Sequence, residues 1–319
     1  MIDLLVVGGG PAGLATAVHA TLVGLEAVVI EPRTTPVDKA CGEGVMPSGV
    51  RALAALGLTA PPGHPLRGIR YLGGSHSAEA TFDAGPGLGL RRTELHTALA
   101  LRADELGVKT VTGRVREVTQ DADSVSACGL RARWLVAADG LHSPVRRGLG
   151  LELPDRRPRR YGQRRHYRVQ PWSDFVEVHW SGAGEAYVTP VGDDLVGVAV
   201  LSTVRRGFDE HLAGFPALLA RLDGRPTASA VRGAGPLRRR VRRRVEGRVL
   251  LVGDAAGYVD ALTGEGVALA LVSAEAAVRC LRAGRPEAYE RQWRTLSRDR
   301  KSTRLNSSHT VLSRMPSSA

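Results

Sequence analysis

The sequence predicts an α/β chain whose parallel, nucleotide-binding framework is interrupted by an antiparallel sheet. An apolar strand near the N-terminus runs into a glycine turn and a helix. The hydrophobic period then changes to alternation between Tyr161 and Leu201. Finally, a second apolar strand ends in Gly253-Asp254 and is followed by another glycine turn and a long helix. Since α/β patterns stand at both ends and a β pattern lies between, the framework is expected to be discontinuous in sequence.

The elements follow in order. Asp3 to Val7 is an apolar strand, Gly8-Gly9-Gly10-Pro11-Ala12-Gly13 a turn, and Leu14 to Val23 a helix stopped by Gly24. Glu26 to Ile30 is a second strand, ending at Glu31, which completes a βαβ unit. Pro47 to Leu56 reads as a helix, Leu66 to Phe82 as short strands, and Arg91 to Leu106 as a helix closed by Gly107. Strands follow around Val108 to Val118, Ser124 to Cys128 and Trp134 to Ala138. In the alternating region, Val176, Val178 and Trp180, then Val196, Val198 and Val200, flank turns at Gly182-Ala183-Gly184 and Gly192-Asp193-Asp194. A short helix, Phe208 to Leu222, precedes the strand Arg248 to Val252 and the helix from Gly266 to Leu281.

At 319 residues the chain is long for one core. No apolar run is long enough to span a bilayer, and the first apolar stretch ends in glycines with no basic region before it, so it is expected to be a buried strand and not a leader. Three cysteines, Cys41, Cys128 and Cys280, show neither a disulfide framework nor metal-ligand spacing, which points to a reducing cytoplasm and no metal. The net charge of +12 is nearly all arginine, because lysine occurs only at 39, 109 and 301. Arg156 to Arg168 and Arg238 to Arg244 are dense runs. They fit a nucleic-acid or anionic-membrane patch, or a solvated face that docks a phosphorylated cofactor; the second reading is preferred, because no nucleic-acid module accompanies the charge. Peripheral membrane contact and oligomeric state stay open. The Ser-rich stretch 301–319 has no period and reads as a disordered or non-native tail.

Three motifs carry chemistry. In the first, Gly8 allows a tight turn, Gly10 clears the approach of a pyrophosphate, and Gly13 lets helix and strand pack closely. Pro11 and Ala12 open a helix whose N–H groups face phosphate. Glu31 stands where an acid grips ribose hydroxyls, and Arg33 is counted with it as a cofactor contact. The second motif is Asp139-Gly140-x-x-Ser143-x-x-Arg146. In the third, Asp254 ends a strand at the carboxyl edge of the sheet, where ligands bind, and Thr263-Gly264-Glu265-Gly266 turns into a helix whose N-terminus favours developing negative charge.

These motifs in this order resemble the FAD-dependent monooxygenases of the p-hydroxybenzoate hydroxylase type and their relatives, the geranylgeranyl reductases, over roughly residues 1 to 285. The resemblance implies a Rossmann-like FAD-binding domain over 1–65, 91–154 and 245–300, with an inserted antiparallel substrate domain over 66–90 and 155–244. It implies that the first motif and Glu31 hold the ADP half of FAD, that Asp139 and Gly140 lie by the pyrophosphate, and that Gly253 and Asp254 hold the ribityl chain. It implies further that the helix after Gly264, Glu265 and Gly266 caps the ring. Arg92 sits in the Arg-x-x-Leu frame whose arginine contacts FAD, with Arg91 as the alternative. Lys39-Ala40-Cys41-Gly42-Glu43-Gly44 resembles a reductase-branch segment near the ring; Cys41 either lines the pocket or is a small buried residue. Tyr187 and Pro190 match the sheet segment that lines the substrate pocket, although plain core is the other reading of Tyr187. Ala261 stands where the family has proline, and Gly257 follows the reductase branch.

The expected function is that of an FAD-dependent oxidoreductase acting on a small molecule. A monooxygenase using NAD(P)H and oxygen on an apolar or aromatic substrate comes first. A reductase of a prenyl alkene is second, and a flavin-free NAD- or nucleic-acid-binding protein third. No second glycine fingerprint follows a strand, so NAD(P)H would dock transiently. No catalytic acid or base is identifiable, and His142 and His179 read as ordinary residues.

Overall fold

The computed structural model describes residues 1–58, 62–182, 184–258 and 265–297. The tail over 301–319 lies outside them, as do Ala261, Thr263 and Gly264.

The main sheet has eight strands. Val245–Glu246, Val125–Ala127 and Thr119–Gln120 add to it antiparallel, and five are parallel, in the order Val249–Leu251, Leu130–Ala137, Ile2–Val7, Ala27–Glu31, Lys109–Thr112. Covered on both faces, such strands need continuous apolar runs. Leu4 to Val7, Val28 to Ile30, Leu135 to Ala137 and Val249 to Leu251 are accordingly all buried. Helix Pro11–Leu22 starts with a proline whose missing N–H costs nothing there, and packs against helices Gly266–Arg282 and Arg92–Glu105. The contact with the first strand is tight: a Cβ on Gly13 would stand 1.7 Å from the Gly8 carbonyl oxygen. A helix over 288–297 closes the described chain. It had no counterpart among the predicted elements, yet its Tyr289 is fully buried and donates to the Leu251 carbonyl at 3.0 Å.

A second sheet has seven strands: Arg232–Ala234, Tyr161–Arg168, Leu195–Ser202, Gly184–Gly192, Phe175–Ser181, Gly68–Gly73 and His76–Thr81. It is not purely antiparallel, because Phe175–Ser181 runs parallel to Gly68–Gly73. Alternation gives it two faces. Val196, Val198, Val200, Ala186, Val188 and Tyr167 pack on two short helices, Phe208–Leu212 and Pro216–Leu222. The sequence suggested one helix there; the break falls before Pro216, which cannot donate into a preceding turn. Val176, Val178, Tyr187, Leu201 and Leu237 form the opposite face. A three-stranded sheet of Gly44–Val45, Gly87–Gly89 and His64–Leu66 bridges the two layers. Among the described residues no helix is long and apolar enough to cross a membrane.

The arginine runs are not uniformly solvated. Arg164 is only 1% exposed, held by Asp38, while Arg168 pairs with Asp194 at the surface. The Gly13 contact yields a test. Gly13→Ala should destabilise the chain by about 3 kcal/mol or more, because backbone stands on the other side, and urea unfolding measures it.

Candidate functional site

The carboxyl ends of the parallel strands meet the apolar face of the second sheet across two adjoining hollows, of about 230 and about 910 Å³. Gly10, Pro11, Ala12, Cys41, Arg92, Gly140, Asp254, Gly266 and Tyr187 line the first. Asp139 lines the second, and Asp254 and Lys39 line both. Three segments far apart in sequence are thus brought to one cleft.

The glycine turn is built by its neighbours. Gly8 has φ +102°, a conformation favoured by glycine. The Gly9 N–H donates to Glu31 Oε2 at 2.7 Å, and the Gly9 carbonyl lies 2.8 Å from His96 Nε2. A Cβ on Gly10 would meet nothing nearer than Arg92 Nη2 at 3.8 Å, so the backbone is open to a ligand there. Glu31 is 5% exposed, and Arg33 grips its carboxylate through Nε at 2.6 Å and Nη2 at 2.9 Å. Burial pushes the Glu31 carboxyl up, but the hydrogen bonds from Arg33 and the Gly9 N–H outweigh it and hold the group below its ordinary value. Neither Glu31 nor Arg33 is in the wall of either hollow.

Arg92 opens helix Arg92–Glu105 and lines the first hollow, whereas Arg91 does not. Among the described residues Arg92 Nη1 is buried with no hydrogen-bond partner. Burial lowers its pKa from the ordinary guanidinium value. Lys39 is lowered by burial and by the nearby Arg33 and Arg92, against the pull of Asp254 and Glu31. Burial raises the Asp254 carboxyl, opposed by Lys39, Arg92 and Arg146. Cations therefore outnumber anions around Asp254, which suits a bound polyanion.

The second motif works as a clamp. Asp139 Oδ2 accepts the Val145 N–H at 3.2 Å, and Ser143 Oγ caps the short helix by accepting the Arg146 N–H at 2.9 Å. Arg146, fully buried, donates to Glu152 at 3.0 Å, to the Leu141 carbonyl at 2.8 Å and to the Ala255 carbonyl at 3.1 Å. It thereby fixes the turn that presents Asp254. Gly140 and Gly253 take φ +82° and +56°. The Gly253 N–H donates to Ser273 Oγ at 3.1 Å. Asp139 Oδ1 is buried without a partner, and burial raises this carboxyl. The two orphaned atoms, Arg92 Nη1 and Asp139 Oδ1, and the bare Gly10 backbone fit a ligand bearing both phosphate and hydroxyl groups.

Helix Gly266–Arg282 brings Gly266, Val267 and Ala270 to the wall; Glu265 precedes it, and Gly264 lies outside the described residues. Cys41 Sγ accepts the Glu43 N–H at 3.4 Å, and burial raises its thiol. Tyr187 donates to Glu185 at 2.8 Å. Pro190 is absent from the wall: it pairs with Val196 and its carbonyl abuts Gly89, while the neighbouring Thr189 faces the hollow. Sequence reasoning placed Lys39 and Glu43 only within a segment near the ring, with no role of their own, and gave none to Arg164 or His96. Lys39 had a signal, as one of three lysines in an arginine-biased chain.

Residues 1–182 match the model of the FAD binding domain family. The menaquinone reductase of Mycolicibacterium smegmatis is 30% identical over 349 residues, covering 92% of this chain and 80% of that protein. Digeranylgeranylglycerophospholipid reductase 1 of Methanothermobacter thermautotrophicus is 31% identical, covering 83% of this chain and 73% of its own length. The fold matches that of the flavin-dependent halogenase CmlS with a TM-score of 0.84 at 21% identity, covering 93% of this chain; the chain spans 62% of the length of CmlS.

Two outcomes follow. Asp254→Ala should weaken FAD binding about tenfold or more, as expected for a lost hydrogen bond to a charged group; flavin stoichiometry after gel filtration and fluorescence titration measure it. Glu31 has a folded-state pKa below its ordinary 4.5, so its stabilising contribution is full above that value and is lost as pH falls through the folded one. Urea stability of Glu31→Gln should accordingly trail the wild type most at neutral pH, the gap narrowing in acid. The chain belongs to the FAD binding domain family and is an FAD-dependent oxidoreductase.

Proposed function

We propose that this chain is a flavin-dependent reductase that saturates a carbon–carbon double bond in an isoprenoid lipid. The observation that carries the reading is the wall facing the cofactor side of the first hollow. Ile69, Val176, Val178, Leu201 and Leu237 line it with Tyr187, and the charged Arg164 of the same sheet stands beside this apolar stretch. Such a surface takes a flexible hydrocarbon and excludes water from it. The names of the two reductases similar to this chain along most of its length support the same class, since both menaquinone and a digeranylgeranyl lipid carry isoprenoid chains.

In this reading, residues 1–65, 91–154 and 245–300 carry the cofactor, and 66–90 with 155–244 carry the substrate wall. Gly8, Gly10, Pro11, Ala12 and Gly13 admit the pyrophosphate, with Arg92 and Lys39 compensating its charge. Glu31 and Arg33 take the adenosine ribose, Arg33 swinging off the carboxylate it now grips. Gly253 and Asp254 hold the ribityl hydroxyls, and Asp139 with Gly140 lies by the pyrophosphate. Gly266 and the helix it opens favour negative charge at the ring edge, where Cys41 is a neutral wall. FAD, when bound, supplies the two-electron chemistry. NAD(P)H is the proposed donor, reaching the ring through the second hollow.

Oxygen-dependent hydroxylation uses the same cofactor and is the competing outcome. Anaerobic turnover separates the two. With NADPH and geranylgeraniol in detergent and oxygen excluded, saturated product should accumulate by mass spectrometry. Product that forms only when oxygen is admitted, and that gains an oxygen atom, would overturn the reductase reading in favour of a monooxygenase.

A further inference from the structure

A buried polar chain crosses from the surface to the first hollow, and none of the roles above uses it. Glu43 and His166 are 2% and 1% exposed. They meet where the segment Lys39 to Gly44 packs on strand Tyr161–Arg168. Glu43 Oε2 lies 2.6 Å from His166 Nε2, and His166 Nδ1 lies 2.8 Å from Ser229 Oγ. Glu43 lines the first hollow, and Ser229 is half-buried at the other end. The fold leaves room for the pair: a Cβ on Gly197 would stand 2.8 Å from Glu43 Oε2.

The network fixes where the protons sit. Ser229 Oγ accepts the His166 backbone N–H at 3.1 Å, which leaves its own proton for Nδ1. Arg164 Nη1, able only to donate, faces the same nitrogen at 3.2 Å. With two donors on Nδ1, that nitrogen is the acceptor, so the ring proton is on Nε2 and points at the Glu43 carboxylate. A structural tie alone would need only Glu43 Oε1, which accepts the Arg92 N–H at 2.9 Å.

We propose that Ser229, His166 and Glu43 form the route by which a proton enters the hollow during reduction of the alkene. The inference rests on the reductase reading. Saturating a double bond adds a hydride equivalent to one carbon and a proton to the other. The bound flavin, itself reduced by an external two-electron donor of the nicotinamide class, supplies the first. For the second, the His166 Nε2 proton passes to the Glu43 carboxylate as His166 Nδ1 takes that of the Ser229 hydroxyl and water restores the serine. The Glu43 O–H bond so formed breaks as the new C–H bond forms, and proton exchange of the imidazole with solvent returns the proton to Nε2 before the next turnover. One double bond is reduced, the flavin is oxidised, and one proton leaves solvent per turnover. The charged and titratable groups facing the pair are Arg164, whose Nε is 3.8 Å from Glu43 Oε1, Arg92 and Cys41; Asp38 and Arg232 lie behind Arg164.

The test is single-turnover oxidation of the dithionite-reduced holoenzyme by geranylgeraniol without oxygen, followed at the flavin absorbance in H2O and D2O across neutral pH. The wild type should show a solvent isotope effect. Glu43→Gln should slow oxidation about 100-fold or more while flavin fluorescence titration returns the wild-type FAD affinity. Ser229→Ala, which spares every Glu43 contact, should slow it less and change the pH profile. ¹⁵N-histidine NMR of the resting holoenzyme should find the His166 ring proton on Nε2. Oxidation at the wild-type rate in both variants, an Nδ1-protonated ring, or a Glu43→Gln loss matched by lost FAD affinity would overturn the proposal. A wild type that does not respond to the alkene at all would instead sink the reductase reading, and the proton route with it.

Discussion

The buried guanidinium of Arg146 is the constraint on which the site depends. It belongs to the second motif, yet most of its donors are spent elsewhere: on the Leu141, Asp254 and Ala255 carbonyls and on Glu152. A planar fork with five N–H donors can satisfy several carbonyls at fixed angles, which a lysine could not. A buried charge left without partners is costly, so the two loops cannot drift apart without stranding it. Asp254 reaches the cleft because Arg146 holds its backbone, and Asp139 can keep one oxygen free because its other is committed to the helix that carries Arg146.

Around that clamp the electrostatics lean one way. Lys39, Arg92 and Arg146 surround Asp254, and burial opposes the charged form of Lys39, Arg92 and Asp254 alike. A protein interior tolerates such an excess of cation only where a ligand completes it or solvent enters. The open Gly10 backbone beside these cations leaves room for a polyanion. The net charge of +12 is thus not only a surface property. Arg146, Arg164 and Arg92 are interior residues, and Arg164 and Arg92 line the first hollow.

The second sheet serves two neighbours because its strands alternate. One face is sealed by the two short helices, so its valines are ordinary core. The other closes over the cleft and is equally apolar but not fully packed. At the edge of that face the pattern breaks: Gly162, Arg164 and His166 occupy the inward positions of strand Tyr161–Arg168. Polar groups in an otherwise hydrocarbon wall are expensive unless satisfied; here Glu43 and Ser229 take the two ring nitrogens of His166 and Asp38 takes Arg164 Nη2, while Arg164 Nε has no hydrogen bond among the described residues.

The sequence by itself determined the elements and the motifs. Continuous apolar runs marked the parallel strands, alternation marked the second sheet, and the glycine spacing marked the turn that Glu31 holds through the Gly9 N–H, because these signals are local and periodic. The side Arg92 faces, rather than Arg91, was also legible from its frame. The helix over 288–297, the parallel pairing of Phe175–Ser181 with Gly68–Gly73, and the replacement of Pro190 by Thr189 in the wall were not. Only the tertiary structure decided that Arg146 clamps Asp254, that Lys39 joins the cleft, and that Glu43 meets His166 across 123 residues. Such contacts are set by which faces of distant elements come together, and a polar side chain carries no mark in sequence of the partner that will make its burial bearable.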